Sequence, residues 1–209
     1  MKILVTGFEP FGGETLNPSA EVLDALPDTI AGAEIVKIML PVVRGEGAVQ
    51  VAMALEEHQP RAVLSVGQAS GHNTISLERV AINLDDYHME DNGGNCPQDE
   101  PVVADGPDAY LCTLPVKEMV AAIRAAGIPA EVSLSAGSFV CNHVFYSLCH
   151  LLATGYPGIR AGFIRIPYLP AQVINKPGQP SVDGSLSLRA VEIAIQTMVE
   201  ILEREHGPA

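Results

Sequence analysis

Basic and aromatic residues are scarce in this chain of 209 residues. It contains no tryptophan, and 12 Lys plus Arg stand against 25 Asp plus Glu, for a formal net charge of −13. Such a surface repels the phosphates of nucleic acids and of anionic membranes, which argues against both as partners. No apolar run approaches the ~18 residues of a membrane span, and the short apolar run at the start does not fit a secretory signal. We therefore expect a cytoplasmic protein.

Cysteine spacing argues against two common site types. None of the four cysteines belongs to a Cys-x-x-Cys pair, which disfavours zinc knuckles and thioredoxin-type motifs. A cytosolic compartment argues against disulfide bonds. The open question is whether one of the four cysteines acts as a nucleophile.

Apolar runs rich in β-branched residues alternate with segments of helical periodicity. The predicted strands are 3–6, 34–40, 62–66, 74–84 (one long strand or a hairpin arm), 130–133 and 162–166. The predicted helices are 45–58, 115–126, 140–152, 185–204 and one from Asn17-Pro18-Ser19 to about Leu26, and the long loops are 7–18, 85–110 and 167–184. This alternation predicts an α/β fold with a sheet covered on both faces, in a single domain over residues 1–209.

The opening MKILVTG is typical of dinucleotide-binding proteins, in which a strand leads into a glycine turn. Here Gly7 is followed by Phe8, Glu9 and Pro10, and the glutamate would repel phosphates. No Lys-Ser/Thr of a P-loop follows, and no tyrosine has a lysine four residues on, as a short-chain reductase requires. We keep nucleotide binding only as a disfavoured third hypothesis.

Cys141 has the setting of a reactive cysteine. Small residues at 135–138 precede it and an apolar helix follows, so its sulfur is expected near a helix N-terminus. The N–H groups and dipole there lower a thiol pKa and can bind an oxyanion. A buried structural cysteine fits the local sequence equally well. Cys112 and Cys149 lie in apolar runs and are expected in the core, and Cys96 lies in a loop.

Four motifs in order resemble one family. They are GFEPFGG with Asn17-Pro18-Ser19, GQASG with ISLERVAIN, SAGSFVCNHVFY, and GFIRIPYLPAQ. Together they resemble pyroglutamyl peptidase I, also called pyrrolidone-carboxylate peptidase, from residue 1 to beyond Gln172. The resemblance implies a cytosolic cysteine exopeptidase that removes N-terminal pyroglutamate from peptides without metal or cofactor. It also implies a three-layer α/β/α sandwich around a mainly parallel, mixed sheet, and a homo-oligomer, often a tetramer.

The resemblance places the nucleophile on Cys141 and the acidic member of a catalytic triad on Glu78. A glutamate on a strand beside the nucleophile would orient a base. The alternative for Glu78 is a surface carboxylate that pairs with Arg79 or Arg61.

A pocket for the flat pyroglutamyl ring needs aromatic faces and a few amide partners. By resemblance, Phe8 and Phe11 are the stacking pair and Asn17 is the donor to the lactam oxygen. Backbone groups at Gln68, Ala69 and Ser70 would complete the recognition. Two phenylalanines three residues apart could also be ordinary core, but their place in a polar loop disfavours that alternative.

The chain departs from the family pattern at the catalytic base. The family carries histidine within Phe-Ile/Val-His-Val/Ile-Pro, and this segment reads Phe163-Ile164-Arg165-Ile166-Pro167. Arginine keeps its proton, with a pKa above ~12, so it cannot take the thiol proton. A cation beside Cys141 could still favour the thiolate.

A second departure mirrors the first. Where the family writes Asp-Asp-Ala-Arg-Ile-Pro-Asp-Asn, with an arginine associated with the oxyanion, residues 85–92 carry His88 in place of that arginine. We therefore expect an exchange of roles, with Arg165 at the oxyanion and His88 as the base. The alternatives are an exposed loop histidine at 88, His72 as the base, or a family member that binds pyroglutamyl peptides or free pyroglutamate without efficient turnover.

Overall fold

The computed structural model describes residues 1–206. Its strands are β1 (Lys2–Phe8), β2 (Thr29–Ile30), β3 (Ala33–Leu40), β4 (Ala62–Ala69), β5 (Ile75–Glu78), β6 (Val80–Ile82), β7 (Ala109–Leu111), β8 (Ala130–Ser133) and β9 (Arg160–Pro167). Its helices are α1 (Pro18–Ala25), α2 (Glu46–His58), α3 (Val116–Ala125), α4 (Val140–Gly155), α5 (Pro170–Val173) and α6 (Gly184–His206). None of the helices within residues 1–206 is long and apolar enough to cross a membrane.

A mixed, mostly parallel sheet of seven strands forms the centre of the molecule, in the order β2-β3-β1-β4-β9-β5-β8. The neighbours β3, β1, β4 and β9 are all parallel. Strand β5 runs antiparallel to β9 and parallel to β8, and β2 runs antiparallel to β3. Strands β6 and β7 pair separately as a small antiparallel sheet. The predicted mixed α/β sheet is confirmed.

Helices cover both faces of this sheet. The chain moves from β1 to β3 in one direction and from β3 to β4 in the other, so right-handed crossovers place α1 and α2 on opposite faces. Helix α6 packs with α1 and α3, and α4 packs with α2. Helix α6 turns an apolar stripe into the core, with Val191, Ile195, Met198 and Leu202 all buried.

The first turn of α1 fixes the end of β1. Asn17 caps the helix, and its side chain accepts a hydrogen bond from the Ser19 N–H at 3.0 Å. The Ser19 hydroxyl in turn accepts the Phe8 N–H at 2.9 Å. A Cβ on Gly7 would lie 2.8 Å from the Ser19 carbonyl oxygen, so only glycine permits this close approach.

The segment 74–84 is neither one strand nor a hairpin arm, because the chain changes sheets at Arg79. The Arg79 N–H donates to Ser133 at 2.8 Å, next to β8, whereas its carbonyl accepts the Cys112 N–H at 2.9 Å, next to β7. Strand β5 therefore stays in the central sheet, and β6 joins the small one. The sequence also gave no signal for the two-residue β2, for β7 or for the one-turn α5.

Phe8 lies in a strand rather than in the predicted loop 7–18. Strand β1 continues to Phe8, which is paired with Leu40 of β3. Its side chain is 2% exposed and its ring centroid lies 6.1 Å from that of Phe163. The expectation that a polar loop keeps Phe8 out of the core is therefore wrong, because strand pairing carries the residue into it.

We predict that Phe8→Ala lowers the free energy of unfolding by ~3–5 kcal/mol, since it empties a core position. Phe11→Ala is the matched control, because Phe11 is only partly buried, and we expect a loss of less than half that size. Urea unfolding followed by circular dichroism measures both. Equal losses in the two variants would show that Phe8 does not support the core.

Candidate active site

Cys141 is the second residue of α4 and faces the end of β4. Phe139 is the N-cap of this helix, so the predicted place of the sulfur near a helix N-terminus is confirmed. A Cβ on Gly67 of β4 would lie 2.9 Å from Cys141 Sγ. Glycine at this position thus lets the sulfur approach the strand, where the Gln68 backbone lowers the pKa of the thiol.

The environment of the thiol does not favour ionisation. Burial raises the pKa of Cys141 to about 11, although the neighbouring Arg165 cation and the Gln68 N–H lower it, and the Glu78 carboxylate raises it further. The expectation that the helix N-terminus gives a low thiol pKa is therefore wrong, because desolvation outweighs it. A base must take the thiol proton before the sulfur can attack at neutral pH.

Arg165 and Glu78 form a buried ion pair beside this thiol. Arg165 Nε donates to Glu78 Oε1 at 2.7 Å, and the Glu78 side chain is 0% exposed. Arg165 lies opposite Ser76 in the β5–β9 register, which makes Glu78 its diagonal neighbour. Arg165 Nη2 also donates to the Ser135 carbonyl at 2.8 Å. The alternative of Glu78 as a surface carboxylate is wrong.

An open cleft of about 450 Å³ brings Cys141, Arg165 and His88 to one cavity. His88 is exposed, which agrees with the alternative of an exposed loop histidine. Its ring nevertheless lies on the cleft wall, with its centroid 5.5 Å from that of the Phe139 ring. His72 is also exposed and is not among the residues that line this cleft. The structure thus brings His88, and not His72, to the cavity of the thiol.

A second, much smaller space of about 10 Å³ also adjoins the sulfur. It is lined by Phe8, Phe11, Asn17, Val42, Gln68, Phe139, Val140 and Cys141. The rings of Phe11 and Phe139 pack against each other with centroids 5.8 Å apart. This apolar subsite and the open cleft therefore adjoin each other, because Phe11, Gln68, Phe139 and Cys141 line both. Phe139 belongs to the motif SAGSFVCNHVFY, but the motif alone did not indicate a role for it.

Asn17 supplies an amide to the apolar subsite while it caps α1. Its Oδ1 accepts from the N–H and the hydroxyl of Ser19, at 3.0 and 2.8 Å. Its Nδ2 donates to the Glu9 carbonyl at 2.9 Å. Because a primary amide has two N–H donors, this contact leaves one for a ligand.

Gln68 belongs to a hydrogen-bond chain that joins the end of β4 to α5 and to the loop before α1. Its Nε2 donates to Ser70 Oγ at 3.2 Å, and its Oε1 accepts from Gln172 Nε2 at 2.9 Å. Gln172 Nε2 also lies 3.3 Å from the Leu16 carbonyl. Between Gln68 and Ser70, Ala69 is fully buried. Gln172 belongs to the fourth motif, but the sequence analysis assigned it no role, because its burial in α5 is visible only in the structure.

Backbone contacts hold the segment that carries His88 against the start of α4. The Asp86 N–H donates to the Ser138 carbonyl at 3.1 Å, and the Ser138 hydroxyl donates to the Asp86 carbonyl at 2.6 Å. On the other side of the cleft, Asn92 Nδ2 donates to the Pro10 carbonyl at 2.9 Å. The position of His88 at the cleft is thus set by both of its walls.

A buried cluster on the far side of α4 supports the same segment. His143 Nε2 accepts the Gly45 N–H at 3.1 Å, which leaves Nδ1 as the protonated nitrogen, 2.9 Å from Asp85 Oδ2. Asp85 also accepts from Arg44 Nε at 2.8 Å and is fully buried. His143 is therefore committed to Asp85, and it is not among the residues that line the cleft of Cys141.

The site combines a nucleophile, a fixed cation and a titratable ring. Cys141 supplies the thiol, Arg165 a permanent positive charge, and His88 an imidazole in the same cavity. Within residues 1–206, no group of three or more His, Cys, Asp or Glu side chains is placed to hold a metal ion. The arrangement suits nucleophilic attack on a carbonyl whose oxygen becomes negative.

Comparison with known sequences points to one family. A sequence model described as pyroglutamyl peptidase matches residues 1–201. The pyrrolidone-carboxylate peptidase of Finegoldia magna is 52% identical over 200 residues, which cover 96% of this chain and 94% of that protein. The pyrrolidone-carboxylate peptidase of Levilactobacillus brevis is 48% identical over 199 residues, covering 95% of this chain and 98% of that protein.

Solved structures agree along nearly the whole chain. Pyroglutamyl peptidase I of Bacillus amyloliquefaciens superposes with a TM-score of 0.93 at 43% identity, covering 97% of this chain and 98% of that one. A mutant pyrrolidone carboxyl peptidase from Pyrococcus furiosus gives a TM-score of 0.93 at 42% identity, covering 97% and 100%. The expected three-layer α/β/α fold is confirmed.

The pKa of Cys141 should respond in opposite directions to its two charged neighbours. Glu78→Gln removes the carboxylate that raises it, so the pKa should fall and alkylation at neutral pH should become faster. Arg165→Met removes the cation that lowers it, so alkylation should become slower. The measurement is the pH dependence of iodoacetamide labelling, read by mass spectrometry of the Cys141 peptide.

Cys141→Ala provides the background, because it lacks the thiol under study and keeps the exposed Cys96. The two charge variants should bracket the wild-type rate at every pH below about 11. Identical profiles in all three proteins would contradict an electrostatic link between the ion pair and the thiol.

Proposed function

Because this chain belongs to the pyroglutamyl peptidase family, we propose that it removes N-terminal pyroglutamate from peptides, with Cys141 as the nucleophile. The observation that carries the proposal is that this sulfur lines two adjoining spaces, the small apolar subsite and the larger cleft of Arg165 and His88. A substrate must present one ring on one side of its scissile bond and a chain of variable length on the other. The two cavities match this asymmetry.

The pyroglutamyl ring would occupy the apolar subsite. Phe8 and Phe11 would contact its apolar faces, and the remaining N–H of Asn17 would donate to the lactam oxygen. Backbone groups at Gln68, Ala69 and Ser70 would hold its polar edge. Since the subsite measures only about 10 Å³, the ring must separate Phe11 from Phe139, which packs against it. We therefore propose that substrate opens the subsite as it binds.

Cys141 would attack the carbonyl of pyroglutamate in the first step. His88 takes the thiol proton as the C–S bond forms, and it gives that proton to the leaving amine as the C–N bond breaks. Water then attacks the acyl group, again with His88 as the base, and this releases pyroglutamate and restores the thiol. The Cys141 N–H and the Arg165 guanidinium would hold the negative oxygen in both steps.

This scheme exchanges two positions of the family pattern. The resemblance implies histidine at position 165 and arginine at position 88. Arg165 is held by Glu78 at 2.7 Å and cannot carry a proton between sulfur and amine. His88 is the titratable ring that faces the same cavity. We assign the fixed charge to Arg165 and the proton transfer to His88.

A second candidate function is binding of pyroglutamyl peptides or free pyroglutamate without efficient turnover. It is favoured by the raised thiol pKa, about 11, together with the ion pair that occupies Arg165. In that case the subsite of Phe8, Phe11 and Asn17 would keep its ligand while the chemistry fails. Under either function, the resemblance extends the proposal to a cytoplasmic homo-oligomer, often a tetramer.

Hydrolysis is tested by fluorophore release from a pyroglutamyl coumarin amide. We expect release by the wild-type protein and none above background by Cys141→Ala, because the nucleophile is lost. Calorimetry with pyroglutamate on both proteins separates the two candidate functions. Binding without release supports the second one, and the absence of both binding and release contradicts both.

The exchange of roles predicts a non-additive pair of variants. His88→Gln should lower kcat by 10²–10⁴-fold, roughly the usual contribution of a general base. Arg165→His alone disturbs the charge at the oxyanion, whereas Arg165→His combined with His88→Arg restores the family arrangement. The double variant should therefore exceed each of its single variants in kcat.

His72→Gln tests the other proposed base and should keep the wild-type rate, since His72 does not line the cleft. Full activity of Arg165→His alone would mean that His88 is a bystander and that the native chain is a disabled enzyme.

A further inference from the structure

The open cleft leads to a further cavity beyond Ser70 and Tyr168. This cavity has a volume of about 440 Å³ and is lined by Ser70, Gly71, Tyr168, Lys176, Pro177 and Gln179. Ser70 and Tyr168 also line the cleft of Cys141, so the two spaces are adjacent. We refer to it as the Lys176 cavity.

The Lys176 cavity is rich in hydrogen-bond donors. Its lining includes an ammonium, two hydroxyls and a side-chain amide, and none of the six residues carries a carboxylate. Its chemistry fits an anionic group better than a cationic one.

Lys176 is held at the edge shared with the cleft. Its ammonium lies 4.5 Å from the centroid of the Tyr168 ring. It also forms an ion pair with Glu14, which lines the cleft. The Lys176 ammonium thus already binds one carboxylate of the protein, that of Glu14. Because an ammonium has three N–H donors, Glu14 does not exhaust it.

The other cation of the cleft is less available. Arg165 donates through Nε to the buried Glu78 and through Nη2 to the Ser135 carbonyl. Two of its donor groups are therefore already engaged within the protein, and the proposed mechanism assigns its charge to the oxyanion. Lys176 is about one-third exposed, at 34%, and can change its partner without uncovering a buried charge.

We propose that the Lys176 cavity binds a carboxylate carried by the residue that follows pyroglutamate, an inference that rests on the proposed function. Lys176 would then be a specificity-determining residue. Since the pyroglutamyl ring would occupy the apolar subsite, the leaving chain must extend through the open cleft. The carboxylate has two possible sources, an acidic side chain on that residue or the free C-terminus of a dipeptide. In both cases the carboxylate belongs to the residue directly after the scissile bond.

The test compares three peptides on the Cys141→Ala protein, in which binding is measured by calorimetry without turnover. Pyroglutamyl-glutamine amide carries no carboxylate, pyroglutamyl-glutamate amide carries one on the side chain, and pyroglutamyl-glutamine carries one at the C-terminus. We expect one or both carboxylate peptides to bind about fivefold more tightly than the amide, as a partly exposed charged contact allows. The preference should weaken with added salt.

Variants of the ion pair assign this preference to a residue. Lys176→Met should reduce the affinity ratio to about one, and so should Lys176→Met combined with Glu14→Gln, which removes any repulsion from an unpaired Glu14. Glu14→Gln alone should increase the ratio, because a competing carboxylate is lost. Lys117→Met is the matched control, since Lys117 is an exposed lysine of α3 that lines neither cavity, and it should keep the ratio.

The outcomes separate this inference from the proposed function. Equal affinities for all three peptides would overturn the inference and leave the proposed function standing. A preference that survives Lys176→Met would also overturn it, because another cation would then read the carboxylate. If none of the three peptides binds, the proposed function falls and the inference falls with it. The two carboxylate peptides show which source is used.

Discussion

The buried ion pair of Arg165 and Glu78 is the interaction on which the site depends. A fully buried carboxylate requires a cation, and loss of one partner from such a pair is destabilising by about 3–5 kcal/mol. The pair joins β5 to β9, and through the Ser135 carbonyl it also holds the chain that leads into α4. One side chain therefore links β5, β9 and the chain before α4, and the same side chain supplies the positive charge beside Cys141. The same contact prevents residue 165 from acting as a mobile proton carrier.

Under the proposed function, the surroundings of Cys141 divide recognition from chemistry. One of the two spaces that the sulfur lines is small and apolar, with one amide from Asn17, which suits a flat lactam. The other is a larger cleft whose walls carry charged groups and the His88 ring. Burial raises the pKa of the thiol to about 11, so the proposed mechanism needs a base to take the thiol proton, and His88 lines the cleft.

Local patterns were sufficient for the long elements of the fold. The cap at Asn17 and the stripe of α6 follow from helix chemistry. The same patterns missed β2, the sheet change at Arg79 and the strand position of Phe8, because partners distant in sequence set each of them. The ion pair of Arg165 and Glu78 could not be predicted for the same reason, because it depends on the register of two antiparallel strands and its partners are 87 residues apart. The motifs identified Cys141 and Glu78, but the high thiol pKa required knowledge of burial.

The central claim is that Cys141 forms a covalent bond to the pyroglutamyl group and that His88 assists its formation. Rapid quench of the protein with a pyroglutamyl amide, followed by peptide mapping in the mass spectrometer, measures this bond directly. The account predicts a mass increase of one pyroglutamyl group on the Cys141 peptide within the first turnover, formed at least a hundredfold more slowly in His88→Gln, roughly as expected for loss of a general base. Release of product with no adduct on Cys141, or an adduct that forms equally fast without His88, would contradict it.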